Sequence, residues 1–380
     1  MKDLSRRLSA RMLLKHQLTY LRGFYDYHIE SSFRTLGPKH LLFAVTYKCN
    51  SRCRMCNIWK KKTQPEMPLD QINKVFSDKL FQSLEIISLT GGEPTLREDL
   101  PEIIELAVKK MPKLMKIIIT TNGLNPLQIQ EKCSKITRIC SGKGLDFFVG
   151  ISLDGMAATH NYIRNIPGAF DKVNQSIAKI KDIQKNSNLR YGINCTLTPE
   201  NLYDAANLRQ WAEKLGVYTK FIVACSTDQF YDNKALEDDL QFKGKNREFM
   251  LSFIKRMSEE KSLLNFSAYY YSDLINILGK GEARSLPCVF LLDGFMLDPY
   301  GELSYCLLAD KIGNCLESSA WELYHRPGNL IKRGQLLKSK CYNCVSSCFV
   351  ETAIVKDLFG YFKFLLSRQK RKSEIPLGKG

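Results

Sequence analysis

From residue 41 the chain alternates short apolar runs with longer amphipathic stretches, and this alternation most narrows what it can fold into. The apolar runs lie at 41–46, 84–89, 116–121, 147–152, 191–197 and 221–224. Helical patterns fall between them near 68–79, 98–110, 126–138, 169–184 and 202–215, with a sixth through roughly 245–260. Apolar strands separated by helices build a parallel sheet with right-handed crossovers, covered on both faces. Six such units predict an α/β fold, a partial (βα)6 TIM-like barrel rather than a complete eight-unit one.

The rhythm stops after about residue 280. Segment 285–350 is short-stranded, contains glycines and holds six cysteines, as expected of a small domain organised by metal rather than by its own core. Residues 351–372 read as a closing helix with an apolar stripe of Leu358, Phe359, Phe362, Leu365 and Leu366. Residues 1–40 read as a basic helical extension. The expected domains are therefore 1–40, a barrel over 41–280, a cysteine-rich auxiliary domain over 281–350, and a C-terminal basic helix and tail over 351–380.

The formal charge is +17, concentrated near both ends: Arg6, Arg7, Arg11, Lys15 and Arg22, then Lys363, Arg368, Lys370, Arg371 and Lys372. That charge suits a phosphorylated substrate, an acidic peptide, nucleic acid or anionic lipid, or it is a solvated basic surface. No motif points strongly to nucleic acid. No run reaches the ~18 apolar residues of a membrane span, and the N-terminus lacks an unbroken apolar signal core. A cytoplasmic place is expected, with a peripheral one at the inner membrane face as the alternative. The terminal helices then have two readings: they lie in an anionic membrane interface, or they pack on the barrel and close its ends. Thirteen cysteines without an export signal argue for metal binding rather than a disulfide framework.

Cys49, Cys53 and Cys56 follow the first strand directly, in the loop position that forms the active face of a parallel barrel. Three thiolates this close can bind three irons of a cubane 4Fe–4S cluster and leave the fourth open to a ligand. A structural zinc takes a fourth protein ligand; the nearest histidine, His40, lies before the strand.

This CxxxCxxC loop resembles that of the radical S-adenosylmethionine (SAM) superfamily, with Met55 where the residue before the third cysteine is often aromatic. The resemblance implies that the open iron binds the methionine end of SAM. An electron from the cluster then breaks the S–C5′ bond and yields a 5′-deoxyadenosyl radical. Further segments extend the likeness. Gly91-Gly92-Glu93-Pro94 resembles the family's GGEP, which implies that Gly91 and Gly92 let the backbone approach a ligand and that Glu93 meets the methionine ammonium. Thr120-Thr121-Asn122-Gly123 and Ser152-Leu153-Asp154-Gly155 end the third and fourth strands, and Arg164 follows. The family pattern implies a ribose contact for Ser152 and a carboxylate contact for Arg164, whose planar fork suits one. In the fifth strand Asn194 and Thr196 share one face, which makes Asn194 a ribose-contact candidate and leaves Cys195 to packing.

The second cysteine group is Cys288, Cys306, Cys315, Cys341, Cys344 and Cys348. It resembles the auxiliary-cluster domains of the SPASM and twitch type: Cys288, then Gly301-x4-Cys306 after a β-hairpin turn, then Cys341-x2-Cys344. A two-cluster domain carries further cysteines that are missing here. One auxiliary 4Fe–4S cluster is expected on Cys288, Cys306, Cys341 and Cys344. Cys348 competes for a place, Cys315 is a weaker candidate, and a structural zinc is the alternative. Cys133 and Cys140 read as packing. Cys225, at the end of the sixth strand, is either packing or a thiol that returns a hydrogen atom to a substrate radical, as in radical epimerases.

The resemblance implies an oxidoreductase-like enzyme that abstracts hydrogen from an unactivated C–H bond. Oxidative modification of a peptide or small molecule is expected, with epimerisation or carbohydrate or lipid modification as alternatives. Its electron donor would be a flavodoxin or ferredoxin. Only 48 residues precede Cys49, too few for a peptide-recognition domain, so a leader-binding partner would be separate. An iron–sulfur electron carrier or a zinc-stapled binding module are the rivals from another class, and neither explains GGEP, TNG and SLDG at three successive strand ends.

Overall fold

Each expected apolar run becomes a strand. A computed structural model describes residues 37–62, 64–259 and 266–373, with Tyr25, Ile29, Glu30 and Phe33 ahead of them. The first six strands are β1 (His40–Thr46), β2 (Ile86–Gly91), β3 (Lys116–Thr121), β4 (Asp146–Ser152), β5 (Leu189–Leu197) and β6 (Thr219–Val223). They pair in parallel in chain order. Helices Leu69–Phe76, Leu100–Lys110, Pro126–Gly142, Ala169–Gln184 and Ala205–Lys214 fill the crossovers, as the alternation requires. All seven residues of β1 are buried. Phe43 meets Phe76 edge-on at 5.8 Å, a burial worth roughly 1.5–3 kcal/mol for a side chain of this size.

The described residues divide into two compact units, one of Gly37–Met250 with Phe290–Ser346, the other including Leu251–Val289 and the chain from Ser347. This differs from the expected boundaries at 280 and 350, and the sheet supplies the reason. Strand β7 (Gly294–Leu297) pairs in parallel with β1, from His40 opposite Gly294 to Phe43 opposite Leu297. The buried His40 and Asp293 side chains meet at 3.1 Å beside that junction. Asp298 then takes the N–H groups of Tyr300 and Glu302 and turns the chain into antiparallel β8 (Glu302–Ser304). Strand β9 (Lys311–Asn314) completes a nine-stranded sheet, β6-β5-β4-β3-β2-β1-β7-β8-β9. The hairpin is as expected, but it extends the barrel sheet rather than standing apart.

In the other unit, helix Phe266–Ile275 is buried almost all round through Ala268, Tyr270, Tyr271 and Leu274. The expected closing helix is two helices, Val350–Val355 and Leu358–Ser373. Asp357 makes the break, because its carboxylate caps the second helix by accepting Gly360 N–H at 3.0 Å. Tyr361 and Phe364 pack on Tyr269. Phe359, Phe362 and Leu366 of the expected apolar stripe are 68%, 57% and 45% exposed. The basic N-terminal segment lies outside the described residues.

Candidate active site at the strand ends

The cluster loop is held by a short helix that the alternation did not predict, Ala157–Arg164. Arg52 N–H donates to the carbonyl of Arg164 at 3.3 Å and Arg54 N–H to that of Ile163 at 2.9 Å. All three loop thiols are half-buried. Cys49 Sγ accepts Ser51 N–H at 3.5 Å, and Cys56 draws on Ile58 N–H. Cys53 Sγ lies 3.0 Å from Ser51 Oγ and 3.4 Å from Arg164 Nη1. Burial pushes the Cys49 thiol up to about 11 and Cys56 to about 12, so a metal that binds them must displace protons.

Arg164 is buried and its fork is divided. Nη1 faces Cys53, and Nη2 pairs with Asp154 Oδ2 at 2.6 Å. Burial opposes its charge, but Asp154 and the neighbouring thiols outweigh that and hold the guanidinium charged. Asp154 is itself fully buried, its other oxygen taking Thr196 N–H at 2.8 Å. Arg164 thus lies between Asp154 and the candidate cluster ligand Cys53.

Glu93 sits in a cage of protein donors. Its carboxylate is 1% exposed and accepts four protein donors: Thr95 N–H at 3.1 Å, Thr95 Oγ1 at 2.7 Å, Thr121 Oγ1 at 2.8 Å and Asn122 N–H at 2.6 Å. It braces the end of β2 against the end of β3, with Oε1 taking three of these donors and Oε2 one. The glycines before it serve the same joint. A Cβ on Gly91, whose φ is +131°, would stand 2.0 Å from Thr46 O, and one on Gly92 2.1 Å from Lys48 O. The close approach there is to the backbone around β1. From Glu93 the brace runs on through Asn122, whose Nδ2 donates to Asn50 Oδ1 in the cluster loop at 2.7 Å.

Ser152 and Asn194 stand opposite one another in the β4–β5 register, both half-buried on the same face. Asn194 leans over Gly150, where an added Cβ would meet its Nδ2 at 2.5 Å. Cys195 is fully buried, and Cys133 and Cys140 are buried too. Cys225 follows β6 and is half-buried. The chain after it folds back onto the cluster loop: Asn233 Nδ2 donates to Met55 O at 2.7 Å, and Asn57 N–H to Tyr231 O at 3.0 Å. Ala224 packs with Cys53 against Met55, Ile163 and Leu240. Asn233 carried no signal in the sequence. Asn122 and Asp154 lie in the TNG and SLDG segments, whose resemblance implied no role for either.

The second cysteine group divides between the units. Cys306, Cys341 and Cys344 belong with the barrel, Cys288 and Cys348 with the other unit. Cys306 Sγ accepts Leu308 N–H at 3.4 Å and Cys344 Sγ accepts Ser346 N–H at 3.5 Å, repeating the turn seen at Cys49. Lys340 Nζ donates to Leu308 O at 2.9 Å and ties the loop of Cys341 to that of Cys306. Cys315 is buried, and burial pushes its thiol up to about 12.

Residues 43–212 match the family described as the Radical SAM superfamily, and the chain carries a radical SAM domain. Its relatives include SPASM/twitch-containing members, with which the cysteine-rich region agrees. The chain is 29% identical over 180 residues to Fe-coproporphyrin III synthase of Methanosarcina barkeri (strain Fusaro / DSM 804), covering 44% of this chain and 42% of that one. It is 22% identical over 299 residues to the antilisterial bacteriocin subtilosin biosynthesis protein AlbA of Bacillus subtilis (strain 168), covering 76% of this chain and 60% of AlbA. It thus spans less than two thirds of either relative. Native anSMEcpe with bound AdoMet superposes with a TM-score of 0.59 over 88% of this chain and 100% of that one, at 16% identity, a likeness of fold alone.

Enzymes of this family use a 4Fe–4S cluster with SAM, and SPASM relatives carry auxiliary clusters. The loop fits such a cluster. It offers three half-buried thiols, N–H groups turned toward two of the sulfurs and a buried cation beside the third, all of which stabilise sulfur-borne negative charge. Among the described residues no three His, Cys, Asp or Glu side chains gather around one ion; a cubane does not ask that, since each thiolate takes a different iron.

Proposed function

We propose that the chain reductively cleaves SAM and takes a hydrogen atom from an unactivated C–H bond, for oxidative modification of a peptide or small molecule. The observation that carries this is the three-thiol loop at the end of β1, braced by Asn122 from β3 and backed by Arg164. When bound, the cluster supplies the electron that breaks the S–C5′ bond to give the 5′-deoxyadenosyl radical. Cys49, Cys53 and Cys56 would hold it. Gly91, Gly92 and Glu93 would shape the strand ends under the methionine moiety, and Ser152 and Asn194 would meet the ribose. Arg164 would balance the charge at Cys53. An auxiliary cluster is proposed on Cys288, Cys306, Cys341 and Cys344, with Cys348 as competitor; the N–H groups at Cys306 and Cys344 support it.

The relatives' names differ in chemistry, so the substrate class stays broad. If the reaction is an epimerisation, Cys225 returns the hydrogen atom. Replacing Cys49, Cys53 and Cys56 together by Ala should abolish 5′-deoxyadenosine formation with dithionite. It should also lower iron from about eight to about four per chain, at ~4 per cubane. Cofactor cleavage by the triple variant would overturn the central assignment. A wild type that reconstitutes with four irons plus zinc would remove the auxiliary cluster. Clusters without 5′-deoxyadenosine in the wild type would leave an electron carrier.

A second reading concerns place. The described residues contain no helix long and apolar enough to cross a membrane. The exposed Phe359, Phe362 and Leu366 beside Lys363 favour peripheral binding of helix Leu358–Ser373 to an anionic membrane surface, on the cytoplasmic side.

A further inference from the structure

The cluster loop carries more positive charge than holding a cluster requires. Residues 47–65 include Lys48, Arg52, Arg54, Lys60, Lys61 and Lys62 and no Asp or Glu. Lys61 is half-buried, donates to Gln229 O at 2.7 Å and feels Asp232 and Asp298. The other five are exposed, and among the described residues none of them has a carboxylate partner.

Three of these five exposed cations are held in place. Arg52 Nη1 donates to Cys49 O at 2.8 Å and Ser51 O at 3.0 Å, with its guanidinium 4.8 Å from the Trp59 ring centre. Lys60 Nζ lies 5.1 Å from the same ring. Trp59 Nε1 donates to Cys56 O at 3.0 Å, so the indole is tied to a cluster-ligand residue. Arg54 Nε donates to Tyr162 O at 3.2 Å, its guanidinium 3.8 Å over that ring. Tyr162 is 46% exposed, and its hydroxyl donates to Glu200.

Unpaired like charges repel one another, and docking of an acidic partner relieves that repulsion. Cations fixed on half-exposed aromatic faces lose little side-chain entropy on docking. The patch is tied to the backbone of Cys49 and Cys56, two of the proposed ligands of the first cluster. We propose that Lys48, Arg52, Arg54, Lys60 and Lys62, with Trp59 and Tyr162, form the docking face for an acidic one-electron carrier protein. This rests on the radical SAM reading above. The step is an electron transfer alone: the reduced carrier loses one electron, the cluster gains it, and no bond forms or breaks.

The test uses the reconstituted holoenzyme, an acidic flavodoxin as probe and the double variant Lys60→Glu/Lys62→Glu, whose side chains touch neither sulfur nor cofactor contact. Electrostatic steering changes association by ~10-fold to ~1000-fold. We therefore expect roughly tenfold weaker binding of oxidised flavodoxin and roughly tenfold slower bleaching of the cluster by its hydroquinone. Raising salt from about 50 mM to about 500 mM should slow the wild type toward the variant by screening. The Lys60→Arg/Lys62→Arg variant should behave as wild type, and 5′-deoxyadenosine formation with dithionite should be the same in all three. Equal flavodoxin binding and bleaching in wild type and Glu variant would overturn the proposal. So would an equal loss with dithionite, which would assign the cations to an anionic substrate or the cofactor. A wild type that fails even with dithionite would sink the enzyme reading instead, so the two failures are separable.

Discussion

His160 lies wholly inside the fold, and its Nδ1 accepts the backbone N–H of Asp154 at 3.0 Å. A proton on Nδ1 would face that donor. Burial, helped by the nearby Arg164 charge, lowers the imidazole from 6.5 to about 2. A folded pKa below the unfolded one means stability that is complete above about pH 6.5. It is lost as pH falls from there toward 2, at roughly 1.4 kcal/mol per unit. Asn at this position keeps an acceptor near Nδ1 and cannot titrate. Between about pH 7.5 and about pH 5.5, urea denaturation should therefore cost the wild type roughly 1.4 kcal/mol more than His160→Asn. Equal acid sensitivity in the two proteins would sink the assignment. Spacing marks the candidate ligand cysteines, but it does not mark this histidine: nothing around it in the sequence says that a strand-end N–H will meet its ring. Glu93 shows the same limit, since Thr121 and Asn122, which occupy its carboxylate, arrive from another strand end.

The joint between β1 and β2 depends on an absent side chain. Gly92 N–H donates to Thr46 O at 2.8 Å and Glu93 N–H to Lys48 O at 2.8 Å. A methyl group at Gly92 meets backbone, which cannot swing aside as a side chain can. Gly92→Ala should destabilise the protein by about 1–3 kcal/mol and, after reconstitution, lose the iron of the first site while keeping that of the second. Gly142→Ala, where an added Cβ meets nothing within 4 Å, is the neutral control. Full iron in Gly92→Ala would show that the strand ends tolerate separation. Elements were legible where periodicity was strong: the helix Ala169–Gln184 was read to the residue, and all six barrel strands were found to within about two residues at each end. Helix Pro327–Ser339 was missed because polar and apolar residues mix along it without a clean stripe, and Ala157–Arg164 because two turns are too short to set a period. The parallel pairing of β7 with β1 was missed for a different reason, since a four-residue apolar run carries no mark of its partner.

For the molecule as a whole, the exposed face of helix Leu358–Ser373 separates two behaviours. Charge in the C-terminal segment and the apolar side chains of Phe359, Phe362 and Leu366 together should bring the protein down with anionic vesicles at low salt. Lys363→Glu with Phe362→Ser should release it and leave thermal stability within about 0.5 kcal/mol, as for surface changes generally. Protein that stays in the supernatant at low salt would reject membrane binding. The sheet order has a consequence for biosynthesis. Strand β1 leaves the ribosome roughly 250 residues ahead of its second neighbour, β7. During that interval the edge of a strand buried along its full length stands open, the state in which nascent chains pair wrongly with one another. A chain stopped at Ser285 should accordingly pellet where the full chain remains in solution, and overproduction should draw on chaperones until Gly294–Leu297 has been made and laid against β1.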